Sequence, residues 1–71
     1  MIELKAGCAD RRAIGQVLGY MGDIAAEEQS KQVRGILVAH EFDKAASAAA
    51  TVVPQLRLVR YSVDFSFVHQ S

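Results

Sequence analysis

Val33-Arg34-Gly35-Ile36-Leu37-Val38-Ala39 is an almost continuous apolar run, interrupted only by Arg34 and Gly35. Such a run suits a strand covered on both faces, the situation of a central strand in a parallel sheet. The flanking stretches supply helices. Upstream, Asp10 suits the N-cap of a helix reaching to about Gln29, in which Ile14, Val17, Leu18, Met21, Ile24 and Ala25 recur at three- and four-residue spacing as one apolar stripe. Ser30, Lys31 and Gln32 then read as a turn. Downstream, Glu41 to about Val53 is rich in alanine, with Phe42, Ala45, Ala46, Ala49 and Val53 at helical spacing, and Pro54 ends it.

The outer segments read as strands. Met1 to Lys5 alternates so that Ile2 and Leu4 occupy one face, expected to be the core face, and Glu3 and Lys5 the other; Ala6, Gly7 and Cys8 break the pattern. Leu56 to Tyr61 alternates apolar and basic residues. Val63 to Val68 alternates again, with Phe65 and Phe67 on one side and Asp64 and Ser66 on the other, as one long bent strand or a tight pair. The order strand, helix, strand, helix, strand predicts an α/β fold: a mostly parallel sheet flanked by helices and joined by right-handed crossovers. There is no repeat, linker or low-complexity tract beyond the alanine bias of Ala45 to Ala50, so residues 1–71 are expected to form one domain.

Bulk composition narrows the function classes. A chain of 71 residues buries only about 60% of the surface its unfolded form exposes, so the core is expected to be thin. Eight basic and eight acidic residues cancel, which removes a global charge argument for nucleic-acid binding and leaves only local placement. Cys8 is the one cysteine, which excludes an internal disulfide and a zinc site built on cysteine pairs. No apolar run approaches the roughly 20 residues that span a bilayer, and Glu3 and Lys5 interrupt the place where a signal peptide would be apolar. A cytoplasmic location with no membrane partner is the expectation.

Glu3 and Lys5 carry the clearest chemistry. Two apart on a strand, their side chains leave one face about 7 Å apart and can converge on one bound group. A carboxylate can hold Mg²⁺, which prefers octahedral oxygen ligands, while a neighbouring lysine can steer or deprotonate a water held by the metal and offset charge on a phosphate. The plainer reading is a weak surface pair on an edge strand. On the following helix Arg12, Gln16 and Tyr20 form an i, i+4, i+8 row on the flank of the apolar stripe, where a helix packed on the sheet could turn them toward groups on the first strand. A solvated Gln16 and a half-buried Tyr20 are the ordinary alternatives.

Ile2-Glu3-Leu4-Lys5, followed by Gln16-Val17-Leu18-Gly19-Tyr20, resembles the E-x-K plus Q-x-x-x-Y signature of PD-(D/E)XK, or restriction-endonuclease-like, nucleases of the RecB-like branch. The continuation through Val33 to Ala39 is similar to the C-terminal nuclease domain of the NucS/EndoMS endonucleases. The resemblance covers roughly residues 2 to 40. It implies a partial restriction-endonuclease-like fold and Mg²⁺- or Mn²⁺-dependent hydrolysis of DNA phosphodiesters. Within it Glu3, with the Leu4 backbone carbonyl, would be a metal ligand, Lys5 the catalytic lysine, and Gln16 and Tyr20 would order the site or the nucleic-acid backbone.

The sequence also departs from that family. An aspartate on the preceding strand supplies the family's other metal carboxylate, and Asp10, Asp23, Asp43 and Asp64 do not occupy that place. The expectation is the C-terminal part of an endonuclease, weak or inactive as given: a piece of a longer enzyme, a degenerate copy, or a chain completed by another. The alternative is a non-catalytic remnant of the fold serving as an oligomerisation or interaction module.

Two features point to self-association. The first strand should present an open edge. Gly15, Gly19 and Gly22 form a strip beside the Gln16 row, consistent either with tight packing on the sheet or with close approach of a second chain or a DNA backbone. His40 and Glu41 fall where the second strand ends and read as capping or solvated residues. Arg11, Arg12, Arg57 and Arg60 are scattered and are assigned no site.

Overall fold

The computed structural model describes residues 1–28 and 32–62. It has the element order β1 (Ile2–Ala9), α1 (Arg11–Glu28), β2 (Gly35–Phe42), α2 (Lys44–Thr51) and β3 (Leu56–Arg60). The three strands form one sheet in the order β1-β2-β3, parallel throughout. The fold is therefore α/β with the predicted alternation. The expected strand at Val63 to Val68, and the turn at Ser30 and Lys31, lie outside the described residues. None of the described helices is long and apolar enough to cross a membrane.

Each helix begins at an aspartate. Asp10 Oδ1 accepts the Ala13 N–H at 3.0 Å and Asp43 Oδ1 accepts the Ala46 N–H at 2.7 Å, each satisfying one of the donors that a helix start leaves without an internal partner. The cap at Asp43 also explains why α2 is shorter than the expected Glu41 to Val53. β2 continues through Phe42, and the Asp43 N–H is held by the Ala9 carbonyl at 3.0 Å, so the helix cannot start earlier. His40 and Glu41 accordingly belong to β2 rather than lying beyond it.

Register decides which residues share a face. Glu3 pairs with Leu37 and Lys5 with Ala39, while Leu37 pairs with Leu58 and Gly35 with Leu56. Residues on this side include the buried Leu37, Ala39 and Leu56, packed with Ala13, Ile14, Val17 and Met21 of α1 and Ala46 of α2. The two helices touch each other as well as the sheet, so both cover this one face.

The opposite face carries Ile2, Leu4, Ile36, Val38, Arg57 and Val59, and no described element covers it. This corrects two expectations. Ile2 and Leu4 do not enter the core; they are 73% and 69% exposed. β2, read as covered on both faces, is covered by the described elements on one, with Ile36 and Val38 only partly buried.

β1 is also longer than expected, because Ala6 to Cys8 bend the strand without ending it. The pairing shifts between Lys5 and Cys8, so that β1 has one residue more than β2 over this interval, and Gly7 takes φ 78° there. A positive φ of this size is the conformation that glycine adopts at least cost, and one extra residue on a strand is a β-bulge.

The helix glycines are resolved differently. Cβ atoms added to Gly15, Gly19 or Gly22 would meet nothing within 4 Å, so tight packing of helix on sheet does not account for them. Gly35 is the glycine that packing requires: a Cβ there would lie 2.6 Å from Met21 Sδ, 3.3 Å from Met21 Cγ and 3.4 Å from Leu56 Cδ1.

Gly35→Ala should therefore destabilise the fold by about 1–3 kcal/mol through overpacking, with a much smaller penalty in a Met21→Ala background. Urea unfolding of the four-member cycle measures that coupling. Asp10 gives a pH prediction. Its carboxyl is held below the ordinary carboxylate range, chiefly by the Ala13 N–H it accepts and further by the neighbouring Arg12. A lowered folded-state value means stability that is present above the unfolded value and lost as acid protonates the folded group. The melting temperature should fall below about pH 4, and Asp10→Asn should flatten that part of the profile.

Candidate functional site

Glu3 and Lys5 stand on the helix-covered side of β1, at the rim of the sheet. Met1, on the same side, is packed against the core. Glu3 is half-buried and Lys5 exposed, as expected of side chains on an edge strand only partly roofed by a helix.

The backbone of β1 alternates in the plane of the sheet. The Met1 nitrogen donates to the Arg34 carbonyl at 2.9 Å and the Met1 carbonyl accepts the Ile36 N–H at 2.8 Å. In a parallel ladder such a residue spends both polar groups on the same neighbour, and its alternates do likewise. Glu3 and Lys5 thus bond toward β2, while the N–H and C=O of Ile2, Leu4 and Ala6 point to the free edge. The Leu4 carbonyl is accordingly directed outward between the two candidate side chains, with its own side chain on the open face.

α1 runs back over the sheet antiparallel to β1, and its two flanks are distinguishable. Leu18, Met21, Gly22 and Ala25 line a groove with Val53 and Gln55, so that flank looks toward α2 and β3. Ile24 lines a depression with Met1, Val33 and Arg34, so the other flank looks toward β1. Tyr20 lies one turn from Ile24 on this second flank, and Gln16 one turn further. One turn advances about 6 Å along the helix, close to two strand residues. On that spacing, with Ile24 and Met1 bordering one depression, Tyr20 would come level with Glu3 and Gln16 with Lys5. Tyr20 is 49% exposed and Gln16 is exposed. Among the described residues no hydrogen bond or ion pair ties these four side chains to one another.

The donor set bears on a metal ion. Glu3 offers one carboxylate and Leu4 one carbonyl, and among the described residues no three His, Cys, Asp or Glu side chains are grouped to hold a metal. Mg²⁺ is commonly held by one or two carboxylates with substrate phosphates completing its shell. This chain's own groups, at the lean limit of that range, do not fit a self-sufficient magnesium site.

The carboxyl ends of the strands hold a second group of polar residues. His40 Nδ1 lies 3.2 Å from the Tyr61 carbonyl, a contact that takes the Nδ1–H form, and the two rings meet edge to face with centroids 5.9 Å apart at 60°. Glu41, Phe42, Ser47 and Arg60 border one shallow depression, and Asp10, Arg11, Arg12, Asp43 and Ala45 another. Asp10 and Asp43 already occupy both helix starts. Each carboxylate takes one helix-start amide and sets a negative charge where an anion would otherwise bind.

One feature of the site escaped the sequence reading: the side of the sheet on which Glu3 and Lys5 stand. Period-two alternation separates two faces without saying which one a helix covers. The edge alternation is open to direct measurement: at concentrations where the chain is monomeric, the Leu4 amide should exchange with solvent rapidly while the Glu3 and Lys5 amides are protected. Hydrogen exchange read by NMR would show the pattern.

No family model matches the chain, and no curated protein and no solved structure matches it significantly.

Proposed function

We propose that the chain is the C-terminal part of a Mg²⁺- or Mn²⁺-dependent DNA endonuclease with a partial restriction-endonuclease-like fold, incomplete in its metal site as it stands. The observation that supports this reading is that Glu3 and Lys5 stand at the rim of the sheet on the side covered by α1, the helix that bears Gln16 and Tyr20. In this reading Glu3 and the Leu4 carbonyl are the metal ligands this chain contributes. Lys5 offsets charge on the scissile phosphate and handles a proton, and Gln16 and Tyr20 orient the DNA backbone or the site. The metal, when bound, supplies Lewis-acid stabilisation of the phosphoryl oxygens. A second carboxylate has to come from elsewhere, and the free edge of β1, beside Glu3, is the position from which an added strand could present it.

A second reading is favoured by a different observation. Ile2 and Leu4 expose apolar surface beside a strand edge that no described strand pairs, the combination expected of an interaction or assembly module. In that case the fold is retained and the chemistry is not.

Cleavage of branched, mismatched and single-stranded DNA with Mg²⁺ or Mn²⁺, compared between the natural chain and Lys5→Ala, separates the two. The endonuclease reading expects weak metal-dependent cleavage that falls by about 10²-fold or more in Lys5→Ala, the scale of a lost proton-transfer group. Equal activity in both proteins would remove it, and cleavage by neither would favour the non-catalytic reading. An in-frame strand bearing an aspartate about 10 to 20 residues before Glu3, the spacing of a hairpin of short strands, would support it independently.

A further inference from the structure

We infer that the outer edge of β1 pairs with β1 of a second copy of this chain, antiparallel, about a twofold axis through Leu4. This inference stands on register and charge, and it gives to a second copy the edge from which the endonuclease reading draws its added strand.

The outward N–H and C=O groups belong to Ile2, Leu4 and Ala6. The bulge that follows, with Gly7 at φ 78° and the register shift before Cys8, ends the regular edge at Ala6. The run available to a new strand is therefore Ile2 to Ala6, and Leu4 is its centre. In an antiparallel pair, residues whose polar groups face the neighbour must sit opposite one another, so Ile2, Leu4 and Ala6 can pair only among themselves. Leu4 opposite Ile2 would set Glu3 against Glu3 of the second copy. Leu4 opposite Ala6 would set Lys5 against Lys5. Like charges directly opposite destabilise a sheet.

Leu4 opposite its own counterpart avoids both conflicts. It sets Glu3 of each copy against Lys5 of the other, once on each side of the axis, and places Ile2 against Ala6. The charged pairs occupy the narrow, non-hydrogen-bonded positions, where Cα atoms come within about 4.5 Å and side chains are closest. This register also uses the whole run from Ile2 to Ala6. The zero net charge of the chain leaves no overall repulsion to overcome.

An axis perpendicular to the sheet keeps both helix layers on one side. With α1 lying over β1 and β2, the two copies of α1 fall about two strand spacings apart, roughly 10 Å, near the distance at which helices pack. On the helical spacing that would bring Tyr20 level with Glu3 and Gln16 with Lys5, the same axis would set Tyr20 of each copy beside Gln16 of the other. The flank row thereby acquires a partner that the single chain does not provide.

The test is a charge exchange on the 71-residue chain. Sedimentation at micromolar concentration should show a dimer. Glu3→Lys and Lys5→Glu, made singly, each place like charges at both pairs and should raise the dimer dissociation constant by about tenfold or more. Made together they exchange the signs, restore opposite charges and should return the constant to within about threefold of the natural chain. In the natural protein, Leu4 amide protection should increase with concentration, a readout that needs no variant to fold. A natural chain that stays monomeric overturns the pairing and leaves the edge to a strand of another polypeptide. Single variants that dimerise normally overturn it as well, as does a folded double variant no better than the singles. DNA cleavage separates this inference from the previous reading: the double exchange moves the carboxylate off position 3 and should not restore nuclease activity even where it restores the dimer.

Discussion

A parallel strand cannot be reached by a tight turn: the chain must climb over the sheet and return, and in this protein both returns use the same side. That constraint organises the rest of the structure. It places α1 and α2 in contact, concentrates the buried residues between them and the sheet, and commits Leu37 at the centre of β2 to complete burial under the helices. It also lets Met21 descend onto Gly35, where a side chain would obstruct it. The cost is one-sidedness. Among the described residues nothing forms a second layer over Ile2, Leu4, Ile36, Val38 and Val59 on the reverse of the sheet, and so small a domain has few other places to bury apolar area.

Much of this was legible in the residues, and the exceptions have a common cause. The apolar run of β2, the stripe on α1 and the capping aspartate at position 10 each report a local preference that the fold obeys. Alternation in β1 was equally clear but was assigned to the wrong sides. Apolar Ile2 and Leu4 look like core residues until the crossovers show that the helices lie over Glu3 and Lys5. A strand's own pattern carries the period of its faces, whereas which face is roofed depends on residues dozens of positions away. The second helix failed in the same way. Glu41 and Phe42 have helical spacing with the alanines that follow, yet pairing with β1 and the Asp43 cap hold them in β2.

The candidate site illustrates the limit in chemical terms. The expected proximity of the Gln16 and Tyr20 row to the first strand rests on helical periodicity together with the return of α1 over the sheet. The second carboxylate cannot be found in the same way, since the described residues hold no group that would complete the set. Glu3 and Lys5 are thus open to two uses with opposite demands. A metal needs the carboxylate free of its ammonium neighbours, whereas cross-strand pairing neutralises it against one. The same two residues cannot serve both fully at once, so any nuclease chemistry at this rim would have to contend with the assembly.

The far side of the sheet matters for what happens after two copies meet. β3 is five residues long and carries Arg57 on the open face and Arg60 on the helix face. An open sheet with two receptive borders is a monomer unit for an endless ribbon. In the pairing inferred above, one border would be consumed by a closed, self-terminating union, and among the described residues the other carries the cationic side chains of Arg57 and Arg60. Growth by sheet extension would stop at two copies, so that a chain with so much uncovered apolar surface could remain a discrete particle rather than the seed of a fibre.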